Sequence, residues 1–327
     1  MRPLAVLRRG LMSPSGVVRI AAARAADARA LGALARHRGV ALVHSNTSVT
    51  LGGAAAARRA RVPHVWHVRE IYRDVPARAL ALHRRLLASA DALPCVSSAT
   101  RDELGLPRAR VLHDGLATAP GRADRARARA ALGLDEDAFV VALLGRISPW
   151  KGQDVLARAL AEPALAARGA VGVIAGSAWR DEPEREDELR RLRTRLRLGD
   201  RLRIVGFRRD PENVFGAADV VVVPSTRPDP LPNAALEAGA AGCCVVASAH
   251  GGLTEIVSEG VTGRLVPPGD HRMLAAALAA LADDPEQRRR LGEAAAQDIP
   301  HRFAPARLLD SLQALYDDLL GARNRSR

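Results

Sequence analysis

Short apolar runs rich in β-branched residues alternate with segments of helical period along most of the 327 residues. The regular part includes runs at 139–144, 219–224 and 243–247, each followed by a helical segment. Strands separated by helices form parallel βαβ units, because a parallel connection must cross the sheet. The Val run at 219–224 lacks alternating polar residues, which is typical of a central strand covered on both faces. The pattern predicts an α/β protein with doubly wound parallel sheets.

The individual elements follow from apolar period and capping residues. The predicted strands are 40–44, 64–68, 92–96, 110–113, 139–144, 171–175, 202–205, 219–224, 243–247 and 263–266. The predicted helices are 49–60, 77–90, 98–104 with Ser97 as the N-cap, 153–160, 184–196, 233–241 and 253–258, followed by a helical tail at 271–320.

The length of the chain and a break in this rhythm predict two domains. The segment 119–137, with Pro120-Gly121 and an Arg/Ala run, interrupts the alternation and is predicted to be a linker. It separates a first Rossmann-like domain, 1–118, from a second one, 138–305. We expect the two domains to face a cleft, and the last helix, 306–327, to pack back toward the first domain.

The charge of the chain is uneven. Overall, 49 basic and 36 acidic side chains give a net charge of +13, but residues 1–115 hold 19 basic and 7 acidic side chains, an excess of +12. A basic surface suggests polyanion binding, but aromatic residues make up only 3% and no nucleic-acid-binding module is present. We therefore expect no nucleic-acid partner. Forty-eight of the basic residues are Arg, and Lys151 is the single lysine.

Several absences in the sequence bear on location and cofactors. No apolar core of signal-peptide length precedes Arg8, and the longest apolar run, 273–282, is too short to cross a membrane. Three cysteines do not form a disulfide framework. These features predict a cytoplasmic protein. The sequence also has no dinucleotide, Walker or metal-ligand spacing, so we expect neither a cofactor nor a metal.

The loop that follows the predicted strand 139–144 reads Gly145-Arg146-Ile147-Ser148-Pro149-Trp150-Lys151-Gly152. It places two cations at the carboxyl end of a parallel strand and beside the start of a helix, which suits a diphosphate. An exposed loop with two surface charges is the alternative. The use of Lys at a single position favours a required ammonium there, because Lys is compact and flexible where Arg is a planar fork.

A second cluster follows the Val run and reads from Pro224-Ser225 to Glu237-Ala238. It places Asp229 in a loop and Glu237 inside the next helix. Both carboxylates can accept hydrogen bonds from vicinal hydroxyls, and the helix start offers free N–H groups. Capping and surface charge are the alternative explanation for this pair alone.

Taken in order, the G-R-x4-K-G loop, the D-x7-E pair and Gly251-Gly252-Leu253-Thr254-Glu255 closely resemble the family 4 glycosyltransferases, which have the GT-B fold. The resemblance covers about residues 40–320 and is densest in the second domain. It implies transfer of a sugar from a nucleoside-diphosphate sugar to a hydroxyl acceptor, such as a glycan, a lipid-linked sugar or a small metabolite. It also implies retention at the anomeric carbon and independence from metal.

The resemblance assigns roles to individual residues. Arg146 and Lys151 would hold the donor diphosphate and stabilise its departure, Glu237 would bind ribose hydroxyls, and Asp229 would contact the donor hexose. In the first domain, Arg69 and Glu70 occupy the segment that faces the transferred sugar, which implies a catalytic role for both, whereas His67 is expected to be a core histidine. The remaining donor-binding positions are Gly145, Phe207, Arg208, Leu231 and Asn233.

Two departures from the family pattern leave alternatives open. Asp229 stands where the family usually has Glu, and Pro232 where it commonly has Gly. The front of the first domain is expected to lack roughly 60 residues, equivalent to about two βα repeats. The alternative to an active transferase is therefore a catalytically impaired protein that binds nucleotide sugars, and an epimerase of the same fold is a further one. The basic first domain also suggests peripheral contact with an anionic membrane or acceptor.

Overall fold

The computed structural model describes residues 5–7, 14–72 and 75–325. The chain divides into two compact units, one of residues 1–114 with 306–327 and the other of residues 115–305. The start of the predicted first domain lies partly outside the described residues. Within them, no helix combines the length and the apolar character that crossing a membrane requires.

The described residues of the first unit form four parallel strands. Its elements are α1 (Pro14–His37), β1 (Val43–Ser45), α2 (Gly52–Ala60), β2 (His64–Trp66), α3 (Ala77–Leu87), β3 (Leu93–Cys95), α4 (Ser98–Leu104), β4 (Ala109–Val111) and α14 (Pro305–Arg325). Strand β1 pairs with β2, and β3 pairs with β4. Backbone hydrogen bonds from Trp66 to Ala92 (2.9 Å) and from Val68 to Pro94 (2.7 Å) join the two pairs into the order β1-β2-β3-β4.

The second unit is a complete six-stranded parallel sheet. Its elements are α5 (Arg125–Leu132), β5 (Val140–Leu144), α6 (Gln153–Ala161), α7 (Pro163–Ala166), β6 (Val171–Ala175), α8 (Glu184–Arg195), β7 (Leu202–Gly206), α9 (Pro211–Ala217), β8 (Val220–Val223), α10 (Asn233–Ala240), β9 (Cys244–Ser248), α11 (Leu253–Ile256), β10 (Arg264–Val266), α12 (His271–Asp283) and α13 (Pro285–Arg302). The strand order is β10-β9-β8-β5-β6-β7: the chain adds β6 and β7 on one side of β5, and then β8, β9 and β10 on the other side, so the switch point lies between β5 and β8. Ligands of doubly wound sheets bind at such a switch point, outside the carboxyl ends of the strands.

The elements predicted from apolar period are present, and outside the helical tail their ends differ from the predicted ones by at most three residues. All four residues of β8 are buried, as expected for a central strand. The side chain of Ser97 accepts a hydrogen bond from the Thr100 amide (3.1 Å) and caps α4 as predicted. The helical tail consists of three helices: Asp270 caps the start of α12, Asp284 caps the start of α13, and α14 begins at Pro305.

The segment predicted as a linker, 119–137, contains α5, which packs in the second unit. Its Arg129 is fully buried and donates a hydrogen bond to Asp219 (2.8 Å). The same Asp219 oxygen accepts from the amide of Val140, and its other oxygen accepts from Arg125, each at 2.8 Å. A buried charge pair of this kind fixes geometry because neither partner can be left without the other. It ties α5 to the start of β5 and to the residue before β8.

Candidate active site

The loops that follow β5 and β8 touch each other at the switch point. The amide of Thr226 donates to the carbonyl of Trp150 (2.8 Å). Gly152, which precedes α6, has φ +78°, and a methyl group at its Cα would overlap the carbonyl oxygen of Pro224. Only glycine allows both this left-handed conformation and this close approach. The contact brings the two loops that carry the predicted site residues together.

Lys151 and Asp229 form an ion pair across this junction. The Nζ atom of Lys151 lies 2.5 Å from Oδ2 of Asp229. The carboxylate is 8% exposed and the lysine side chain 22% exposed, so the pair is partly shielded from water. Because shielded charges interact more strongly than exposed ones, Asp229 restricts where the ammonium can lie. The carboxylate predicted to meet the donor hexose is thus bound to the single lysine.

Arg146 is held differently from Lys151. Its guanidinium carbon lies 3.5 Å from the ring centroid of Trp179, in the loop after β6. Its carbonyl accepts a hydrogen bond from Nε2 of Gln153 (2.8 Å), at the start of α6. Among the described residues, none accepts a hydrogen bond from the Arg146 guanidinium. All five of its N–H donors therefore remain available for an anion.

Helix α10 supplies the second predicted carboxylate. Glu237 is half-buried, and within the described part of the chain no group donates a hydrogen bond to its carboxylate. Burial raises the pKa of Glu237 above its ordinary value of 4.5. Asn233 is exposed at the first turn of α10, whereas the side chain of Leu231 is buried. A desolvated carboxylate without a partner is suited to accept hydrogen bonds from hydroxyls.

The loop after β9 supports the loop that contains Asp229. The amide of Gly252 donates to the carbonyl of Asp229 (2.8 Å), and Nε2 of His250 donates to the carbonyl of Ser225 (2.7 Å). A methyl group on Gly252 would overlap the carbonyl oxygen of Pro230. These contacts fix the backbone on both sides of Asp229, so its carboxylate has a defined position.

The predicted donor-binding residues Phe207 and Arg208 follow β7. Phe207 is 72% exposed, which is unusual for a phenylalanine in an aromatic-poor chain. Arg208 makes a two-pronged pair with Asp210 at 2.9 and 2.6 Å. Gly206 precedes them, and its carbonyl accepts a hydrogen bond from the Gly176 amide (2.7 Å). Phe207 thus offers an open aromatic face, while the charge of Arg208 is already compensated.

Arg69 and Glu70 lie in the first unit and are engaged there. Arg69 makes a bidentate pair with Asp114, one arm of which measures 2.8 Å. Glu70 accepts hydrogen bonds from the side chains of Thr47 and Ser48 and from the amides of Ser48 and Arg69, both at 3.1 Å. A carboxylate with four donors holds its loop in place. Its predicted catalytic role remains a prediction.

His67 is a core residue, 2% exposed and stacked on His44 with ring centroids 5.7 Å apart. Burial lowers the pKa of His67 to about 4. A neutral, enclosed imidazole fits the predicted core position.

Sequence reasoning did not single out Trp179. The available signal was composition, because the chain has only three tryptophans, and two of them, Trp150 and Trp179, lie beside the two loop cations. Among the residues that the structure describes, no group of three or more His, Cys, Asp or Glu is arranged to hold a metal ion.

Solved structures with the same arrangement of elements are glycosyltransferases and related enzymes. HepE from Anabaena, solved in complex with UDP, superposes with a TM-score of 0.81 at 28% identity, covering 89% of this chain and 82% of that one. Sucrose-phosphate synthase from Thermosynechococcus elongatus superposes with a TM-score of 0.77 at 26% identity, covering 90% and 77%. These neighbours confirm the predicted GT-B class of α/β fold.

Family models match both units. The model for glycosyl transferases group 1 matches residues 124–298, and the model for Glycosyltransferase Family 4 matches residues 6–119. The chain belongs to the group 1 glycosyl transferases, which confirms the family predicted from its motifs.

Two curated relatives are both named for D-inositol 3-phosphate glycosyl transfer. The protein from Kribbella flavida is 44% identical over 188 residues, which is 55% of this chain and 43% of that protein. The protein from Catenulispora acidiphila is 34% identical over 313 residues, 90% of this chain and 71% of that protein. The aligned region thus spans less than half of the first relative's own length.

Proposed function

We propose that this protein transfers a sugar from a nucleoside-diphosphate sugar to a hydroxyl acceptor, with retention at the anomeric carbon and without a metal ion. The observation that carries the proposal is the pair of cations on the loop after β5. Within residues 5–7, 14–72 and 75–325 no group accepts a hydrogen bond from the Arg146 guanidinium, and Lys151 is aligned by Asp229 at 2.5 Å. Both side chains can donate charge-assisted hydrogen bonds to a diphosphate at this switch point, and Asp229 offsets part of the positive charge of Lys151.

The chemistry follows from where charge develops. As the bond between the sugar and the diphosphate breaks, negative charge grows on the leaving oxygen, and Arg146 and Lys151 stabilise it by preorganised electrostatics. The departing phosphate oxygen takes the proton of the acceptor hydroxyl. Because two side-chain cations neutralise the leaving group, the step needs no metal for that purpose.

Donor and acceptor probes come from the relatives. HepE was solved with UDP-glucose, in a structure that superposes with a TM-score of 0.78 at 28% identity. UDP-glucose is therefore the first donor to test. D-inositol 3-phosphate, for which the curated relatives are named, is the first acceptor. Glu237 would bind the ribose, and Phe207 would stack on the base.

The decisive experiment measures UDP release from UDP-glucose with and without the acceptor, in wild type and in Lys151→Ala. We expect acceptor-dependent release in wild type and none in the variant, assayed below the variant's own unfolding temperature, which the unpaired Asp229 should lower. Arg158→Ala is the matched control, because Arg158 is an exposed cation on α6. It should retain full activity. Turnover by Lys151→Ala at the wild-type rate would refute the assignment, and binding without turnover in wild type would indicate the alternative, a nucleotide-sugar-binding protein.

Two further properties belong to the proposal. Activity should be unaffected by EDTA, and product analysis by NMR should give an α-linkage from the α-configured donor. A β-linkage would refute retention, and activity lost to EDTA and restored by a divalent cation would refute metal independence.

We also propose a cytoplasmic location with peripheral contact between the basic first unit and an anionic membrane. The support is the excess of +12 in residues 1–115, since each cation near an anionic surface contributes about 1 kcal/mol. Co-sedimentation with vesicles should rise with their phosphatidylglycerol content and fall with added salt. Binding that is independent of anionic lipid would contradict this contact.

A further inference from the structure

Trp179 is an exposed tryptophan with a well-defined backbone. The residue is 52% exposed. The carbonyl of Ser177 accepts a hydrogen bond from the Ile147 amide (3.1 Å), so the loops after β5 and β6 run side by side. The Ala178 amide donates to Glu186 on α8 (3.1 Å), and the Trp179 carbonyl accepts from the Glu182 amide (3.0 Å). These hydrogen bonds fix the backbone around Trp179, although about half of the residue is exposed.

One face of this ring is occupied by Arg146. The guanidinium carbon lies 3.5 Å from the ring centroid, which is the separation of direct stacking. Within the described chain, the guanidinium has no hydrogen-bonding partner to orient it. Stacking leaves the edge of a guanidinium open, because its N–H groups lie in the plane parallel to the ring. The indole can therefore fix the plane of the fork without using any of its donors.

We infer that Trp179 is a positioning residue for the donor diphosphate: it orients Arg146 and does not itself touch the nucleotide. The inference rests on the proposed function, since it assigns the diphosphate to Arg146. It differs from the arrangement at Lys151, where Asp229 supplies the orientation through charge. The two cations are thus aligned by different means, one by an aromatic face and the other by a carboxylate.

The test uses two probes, UDP and inorganic pyrophosphate. Pyrophosphate has no base or ribose, so its affinity reports the cations alone. Trp179→Ala should weaken both probes by the same factor, about threefold to thirtyfold, the range expected for a cation–π contact between exposed and desolvated sites. Trp179→Phe keeps an aromatic face and should recover most of the loss. Trp179→Leu keeps bulk without that face and should not.

A double-mutant cycle tests whether the effect passes through Arg146. In an Arg146→Ala background, Trp179→Ala should change neither affinity. A loss for UDP alone, an equal loss in the Arg146→Ala background, or no loss in wild type would each overturn the inference. Should Trp179→Ala fail to fold, the comparison of Trp179→Leu with Trp179→Phe gives the same reading. Pyrophosphate binding that depends on Trp179 without any sugar transfer would support the inference while refuting the proposed function.

Discussion

Glu237 is expected to affect binding and stability in opposite directions. Its carboxylate is half-buried, and nothing among the described residues donates a hydrogen bond to it. A nucleotide ribose would supply the missing donors, whereas the unliganded protein has a desolvated charge without compensation. Glu237→Gln removes the charge and keeps the shape of the side chain. It should therefore weaken nucleotide binding and stabilise the fold.

The expected loss of affinity follows from the hydrogen bonds involved. A hydrogen bond to a charged group contributes about 1.5–3 kcal/mol, and glutamine retains one accepting oxygen. The net loss for two ribose hydroxyls is about 2 kcal/mol, which corresponds to about a thirtyfold increase in the Kd for UDP. Calorimetric titration measures this value. Glu212→Gln is the matched control, because it removes the same charge from an exposed helical position of the same unit.

The stability effect has a defined sign with pH. Because burial raises the pKa of Glu237, the folded protein binds this proton more tightly than the unfolded chain. Wild type therefore loses stability relative to Glu237→Gln as pH rises from about 4.5 through the raised pKa, and the two converge below 4.5. Urea unfolding between pH 4 and pH 8 measures the difference. Equal UDP affinity, or a wild type more stable than the variant at pH 8, would refute the reasoning.

Three other predictions concern the scaffold. Gly152→Ala should destabilise the second unit and reduce UDP binding in calorimetry, because the added methyl group overlaps the Pro224 carbonyl. Arg129→Met should lower the free energy of unfolding by about 3 kcal/mol in urea, since it leaves Asp219 buried with one cation fewer. Burial lowers the pKa of His67 to about 4, so the free energy of unfolding should fall by about 3 kcal/mol as pH drops from 6.5 to 4. The free energy of unfolding of His67→Phe should depend less on pH over this range.

The sequence predicts best those elements whose own residues show how they are buried. The Val run of β8 predicts a central strand, because a strand covered on both faces needs apolar residues throughout. Helix α5 shows the opposite case. It follows Pro120-Gly121 and interrupts the alternation of strands and helices, which predicts a linker, whereas in the structure it packs in the second unit and its buried Arg129 pairs with the distant Asp219. A pattern of neighbouring residues does not predict a partner that lies far along the chain.

The candidate site divides in the same way. The sequence predicts that Lys151 and Asp229 each lie in a loop after a parallel strand, and the structure shows that these two strands meet at the switch point. Their direct ion pair depends on loop conformation, which side-chain type alone does not determine. Trp179 illustrates the limit, since its contact with Arg146 depends on two loops running side by side. Spacing along the chain gives no sign of that contact.

The glycine crossings have a consequence for how this site can change. At Gly152 and Gly252, backbone meets backbone so closely that no side chain fits between the loops. The frame of the proposed donor site is therefore defined by main-chain contacts, whereas Asp229 and Phe207 are side chains attached to it. Under the proposed function, a substitution at Phe207 should change the preferred base and leave this frame intact. A substitution at Asp229 should also displace Lys151, because the two side chains form an ion pair.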